Sequence, residues 1–103
     1  MALYNPPSVT VITPSSTTST PTTVPAATTS NTILAPNTNR IGMTIWNYST
    51  ANLYIEFGAT ASTSAFLARI SPSGYYELPF RYTGVISGIW DAANGSALVR
   101  ELT

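Results

Sequence analysis

Arg40–Phe57, RIGMTIWNYSTANLYIEF, is the stretch on which the fold turns. Ile41, Met43 and Ile45 recur at every second position, with Thr44, Trp46 and Tyr48 between them. Successive side chains of a strand point to opposite faces, so this alternation places an aliphatic row on one face of extended backbone. Ser49–Asn52 (STAN) then supplies turn residues, and Leu53, Ile55 and Phe57 resume the period against Tyr54 and Glu56. No run of i, i+3, i+4 apolar positions competes with this pattern. The stretch is two strands and a turn.

The same grammar continues downstream. AFLARI (Ala65–Ile70), YYELPF (Tyr75–Phe80), GVISGIWD (Gly84–Asp91) and ALVREL (Ala97–Leu102) read as strands. They are divided by GATASTS, SPSG, RYTG and AANGS, the last carrying an Asn-Gly hairpin signal. Pro79 marks an edge strand or a strand end. Gly42 and Gly88 lie inside strands, where bulges are expected. Short strands at roughly 8–12-residue spacing predict an all-β fold, a small antiparallel β-sandwich or jelly-roll-like domain, over residues 39–103.

Upstream the texture changes. Met1–Asn39 carries no charged side chain, and Pro6, Pro7, Pro14, Pro21, Pro25 and Pro36 interrupt any helix. Thr and Pro favour extended backbone, which predicts an extended Thr/Pro-rich N-terminal arm over residues 1–38. Two apolar islands, SVTVIT (Ser8–Thr13) and NTILA (Asn31–Ala35), are placed to pair against a sheet. The arm's expected contact residues are Tyr4, Val9, Val11, Ile12, Val24, Ile33 and Leu34. Ordering so long a stretch of small side chains costs more conformational entropy than one small sandwich offsets, so neighbouring chains are expected to cover it.

Composition excludes several functions. Charged residues make up 8% of the 103-residue chain and the formal net charge is zero, so no basic surface exists to neutralise nucleic-acid phosphates. Cysteine and histidine are absent, which removes disulfides, thiolate nucleophiles, common zinc sites and imidazole acid–base chemistry. The acids are Glu56, Glu77, Asp91 and Glu101. Glu56 and Glu77, on separate strands, could in principle form a glycosidase-like carboxylate pair, but each is expected to be an outward strand residue paired with an arginine. No Gly-rich phosphate loop opens a helix, and the serines lack a neighbouring base. The sequence therefore predicts no enzyme, no cofactor and no metal. No apolar run approaches a membrane span, and MALYNPPSVTVITP lacks the basic and apolar regions of a secretory signal, so synthesis in the cytoplasm is expected. For the same reason the Asn-x-Ser triplets at Asn47 and Asn94 are discounted as glycosylation sites.

What remains is a surplus of large aromatic side chains for so small a domain. Trp46, Tyr48, Tyr75, Tyr76, Tyr82 and Trp90, with Arg81, are the candidate interaction residues of the β domain. Rings of this kind also suit sugar stacking, which makes a glycan-recognition module the competing reading.

The stretches NRIGMTIWNYSTANLYIEFGATAS and SPSGYYELPFRYTGVISGIWDAANGSALVREL, with the Thr/Pro-rich leader, resemble capsid cement (decoration) proteins of tailed phages of cyanophage type. The resemblance spans nearly the whole chain, and PSGYYELPFRYTGVISGIWDAANGSA is its distinctive block. It implies a virion structural protein, made in the host cytoplasm, that binds major capsid protein on the outer surface of an assembled head, stabilises it, and associates with itself as a homotrimer. Small β domains of this kind also occur on tails, baseplates and fibres, where the glycan reading would apply. The resemblance implies no catalytic residues.

Overall fold

A computed structural model describes residues 15–103. Tyr4, Val9, Val11, Ile12 and the island Ser8–Thr13 lie outside the described residues. Eight strands follow one another with no helix among the described residues: β1 (Ser19–Pro25), β2 (Asn31–Leu34), β3 (Gly42–Ser49), β4 (Leu53–Phe57), β5 (Ala68–Ile70), β6 (Tyr75–Glu77), β7 (Ile86–Trp90) and β8 (Gly95–Leu102). They form two antiparallel four-stranded sheets, the first in the order β1-β8-β3-β6 and the second β2-β7-β4-β5. Each sheet interleaves early and late strands of the chain. This is the strand order of a jelly roll.

Only β4 and β5 are consecutive strands paired in one sheet; every other connection crosses between sheets. The Asn94–Gly95 turn is therefore not the hairpin expected from its dipeptide. It carries the chain from β7 in the second sheet to β8 in the first. Gly95 has φ +89°, and a Cβ there would sit 2.5 Å from the Tyr48 carbonyl oxygen, so this crossing requires glycine.

The sandwich also begins earlier than residue 39. β1 pairs with β8 along its whole length, from Ser19↔Leu102 to Pro25↔Ser96, and β2 pairs with β7. Both strands come from the stretch expected as an arm. NTILA contributes β2, in keeping with its apolar character, but β1 falls on the Thr-rich segment rather than on an apolar island. Threonine suits a pleated, half-buried surface. Pro21 and Pro25 are tolerated because β1 is an edge strand, and their even spacing puts both donor-less nitrogens on one edge. Val24, Ile33 and Leu34 accordingly point into their own sandwich and are buried there, not held by a neighbour.

The inner faces close one core. Val24, Met43, Ile45, Ala97 and Val99 of the first sheet meet Ile33, Leu53, Ile55, Ile70, Ile86 and Trp90 of the second. Trp90, expected at the surface, is a core side chain instead. Cα pairing aligns it with Leu53 on the inward face of β7, where it fills volume no aliphatic residue would fill. Gly88 makes room for this packing, since a Cβ would lie 2.9 Å from Ile33 Cδ1. The register irregularity lies not at Gly88 but in the facing strand, between Thr32 and Leu34. Gly42 keeps regular register opposite Leu102. Two strands are shorter than their alternation suggests: β5 starts at Ala68, and β6 ends at Glu77 before Pro79.

Candidate functional site

Two buried polar clusters hold the ends of the sandwich. At one end Arg40 is fully buried and forms the single ion pair among the described residues, Nε to Glu101 Oε2 at 2.8 Å. Its other nitrogens donate to the carbonyls of Tyr82 (3.0 Å), Gly84 (2.8 Å) and Ala35. Asn37 Nδ2 donates to the second oxygen of Glu101 at 3.2 Å. Arg81 closes the cluster from outside, donating to the carbonyls of Arg40 (3.0 Å) and Thr38 (2.7 Å). Arg81 is thus a staple between connections, with its guanidinium already engaged.

At the other end Asn47 is fully buried on the inward side of β3. Its amide donates to the carbonyls of Ala51 (2.8 Å) and Ile70 (2.9 Å), with that of Ser71 at 3.1 Å. Its Oδ1 accepts from Ser49 Oγ at 2.6 Å and Trp90 Nε1 at 3.3 Å. Every polar atom is matched, as burial demands. An amide so enclosed offers no glycosylation site, whereas Asn94 is exposed.

Between these two clusters, the outer face of the first sheet forms a platform. Cα pairing arranges its outward side chains in rows across β1, β8, β3 and β6. One row reads Thr23–Leu98–Trp46–Tyr75 and the next Pro21–Arg100–Thr44–Glu77. A third, Pro25–Ser96–Tyr48, runs toward the Asn94 turn. Leu98 (43%), Trp46 (49%), Tyr75 (58%) and Tyr48 (65%) stand open to solvent on adjacent strands. Contiguous apolar exposure of this kind marks a contact surface, unlike isolated exposed residues. Beside Tyr48, an open groove of about 390 Å³ is lined by Ser49, Thr50, Ser73, Asn94 and Gly95.

The predicted interaction residues therefore separate. Trp46, Tyr48 and Tyr75 are brought together on the platform. Tyr76 turns inward from β6 and packs against the core, and burial raises its phenol above the ordinary pKa. Tyr82 stacks on Phe57 with ring centroids 4.4 Å apart and donates its hydroxyl to the Val85 carbonyl at 3.0 Å. The platform also recruits Leu98, Arg100, Glu77 and Thr23, which aromatic content does not single out. Their signal is the alternation within ALVREL together with a pairing register that only the fold supplies.

Glu56 and Glu77 do not pair with arginines as expected; the ion-paired acid is Glu101. The Glu77 carboxylate accepts the Tyr75 hydroxyl at 3.2 Å. Asp91 accepts from Asn52 Nδ2 at 3.0 Å and the Tyr54 hydroxyl at 3.3 Å, and Glu56 accepts from the Phe57 amide at 2.9 Å. Among the described residues no group of three or more acidic, His or Cys side chains converges. No helix of the described residues is long and apolar enough to cross a membrane. Comparison with protein-family models, curated proteins and solved structures returned no match.

Proposed function

We propose that this protein is a non-catalytic assembly module, a virion structural protein of the capsid-decorating kind that its sequence resembles. In this reading the jelly roll is a self-associating knob on the outer surface of a phage head. The head's major capsid protein is the partner, and the residues ahead of β1 reach toward it. One observation supports the reading above others: a sheet face that leaves Leu98, Trp46, Tyr75 and Tyr48 exposed in adjacent rows. A chain whose charged residues amount to 8% has little to keep such a face in water unless an assembly covers it.

Cryo-electron microscopy of purified particles from cells expressing this protein tests the reading. Many symmetric copies on the head are the expected result; particles without the chain would overturn it. A truncation at residue 38 would be uninformative, because it removes β1 and β2 with the core side chains Val24, Ile33 and Leu34. Removing residues 1–14 keeps every strand of the described residues and is the useful variant; it is expected to reduce head binding.

A second reading, glycan recognition at a tail or fibre, is favoured by the groove beside Tyr48, with an exposed ring and uncharged polar neighbours. Binding of the full chain to a glycan array, abolished by Tyr48→Ala, would replace the first reading with this one.

A further inference from the structure

The outer face of the first sheet is charge-complementary to itself. Arg100 on β8 and Glu77 on β6 flank Thr44 in a single row, one strand to either side of β3. Both are exposed, and neither forms an ion pair among the described residues. The neighbouring row has the same layout: Trp46 lies on β3, with Leu98 on the β8 side and Tyr75 on the β6 side.

A two-fold axis lying in the plane of contact and parallel to β3 exchanges the two sides of such a face. It carries Arg100 of one copy over Glu77 of the next, and Leu98 over Tyr75. Trp46 meets its own symmetry mate near the axis. An isologous contact requires a patch that is complementary to itself, and the placement of Arg100 and Glu77 satisfies that condition in charge. Stacked sheets pack about 10 Å apart with strands crossing near −30°, a rotation that the long Arg100 side chain can span.

Resting on the reading of this chain as a self-associating assembly module, we infer that the partner of this face is a second copy of the same chain, docked face to face about a two-fold axis. The Trp46 pair supplies the centre of the contact, and the two Arg100–Glu77 pairs set its register. This contact is distinct from the three-fold association that the sequence resemblance implies, since a three-fold axis cannot lie in a face-to-face contact of identical patches. A two-fold along β3 overlaps β8, β3 and β6 with their counterparts, and strand spacing and rise put that shared face at roughly 14 by 24 Å, on the order of 700 Å² for both partners together. That is below the standard size of specific interfaces, so the dimer is expected to dissociate on dilution.

Sedimentation equilibrium of the full chain over a wide concentration range, with charge variants, tests this. A monomer–dimer equilibrium is expected. Arg100→Glu or Glu77→Arg alone should weaken the dimer about tenfold or more by placing like charges opposite each other. The double variant Arg100→Glu with Glu77→Arg should restore it and screens out misfolding. Trp46→Lys should leave a folded monomer at every concentration. A wild-type chain that stays monomeric or forms trimers would overturn the inference, as would a double variant no tighter than either single one. Trimers or an unrescued double variant overturn this contact alone, and a chain monomeric at every concentration also removes self-association, whereas binding to the head is tested separately by the particle and glycan-array experiments.

Discussion

The two sheets of this sandwich treat their outer faces in opposite ways. On the second sheet the segment between β4 and β5 is tied back onto the domain. The Ala61 amide donates to Ser30 Oγ at 2.8 Å, the Leu67 amide donates to the Ile55 carbonyl, and Phe66 meets Tyr54 edge-on with centroids 4.8 Å apart. Ser87, paired with Thr32 on one side and Glu56 on the other, is fully buried on that face. The first sheet has no such cover over Trp46, Tyr48, Tyr75 and Leu98 among the described residues. The domain partly covers one face with its own chain, whose Phe66 and Leu67 stay 41% and 47% exposed. It lays no such segment over the more aromatic face among the described residues, as expected where another molecule supplies the cover.

Four perturbations probe that contrast. The largest effect belongs to the frame that both faces share. Arg40→Ala strands the partly buried Glu101 carboxylate, and urea denaturation should show a loss of about 3–5 kcal/mol. A loss under about 1 kcal/mol would mean that the ion-paired end does not anchor the sandwich. On the covered face, Phe66→Ala removes the edge-on contact with Tyr54 and should cost about 1 kcal/mol, with faster amide exchange in the segment between β4 and β5.

Ser87 gives a comparable effect of opposite sign. Its hydroxyl is buried without a hydrogen-bond partner among the described residues, so Ser87→Ala should stabilise by about 1 kcal/mol in the same denaturation experiment. Destabilisation instead would show that the hydroxyl is bonded. The smallest effect is expected on the open face. There Trp46→Thr should change the stability of the dilute monomer by no more than about 0.5 kcal/mol despite the size of the side chain lost. The substitution should act on association alone. A large loss in dilute solution would erase the distinction between the faces.

Much of the fold is legible in the chain's own pattern. The alternation in Arg40–Phe57 puts Met43, Ile45, Leu53 and Ile55 on inward faces, where they lie buried. The same alternation places Trp46 and Tyr48 together on the opposite face of β3. Trp90 escapes that logic because its neighbours Ser87 and Gly88 do not distinguish the core side of β7 from the other, and an aromatic residue suits either side. β1 escapes it because STPTTVP carries no apolar period. Its order comes from a seven-residue ladder with Ser96–Leu102, at the far end of the chain and beyond the reach of local pattern. Asn94–Gly95 misleads for a related reason, since a dipeptide specifies a tight reversal but not which sheet receives the next strand.

Strand character, the lack of helix-forming pattern, the lack of imidazole and thiol chemistry, and a surplus of aromatic side chains all follow from the sequence. They are matters of side-chain period and composition, which are local properties. Which strands become neighbours is settled only in three dimensions. That choice sinks Val24, Ile33, Leu34 and Trp90 into the core, withdraws Arg81 and Tyr82 into structural contacts, and sets Arg100 and Glu77 astride the strand that carries Trp46. Pairing between distant segments depends on how two sheets bury their inner faces together, and that is a property of the whole chain.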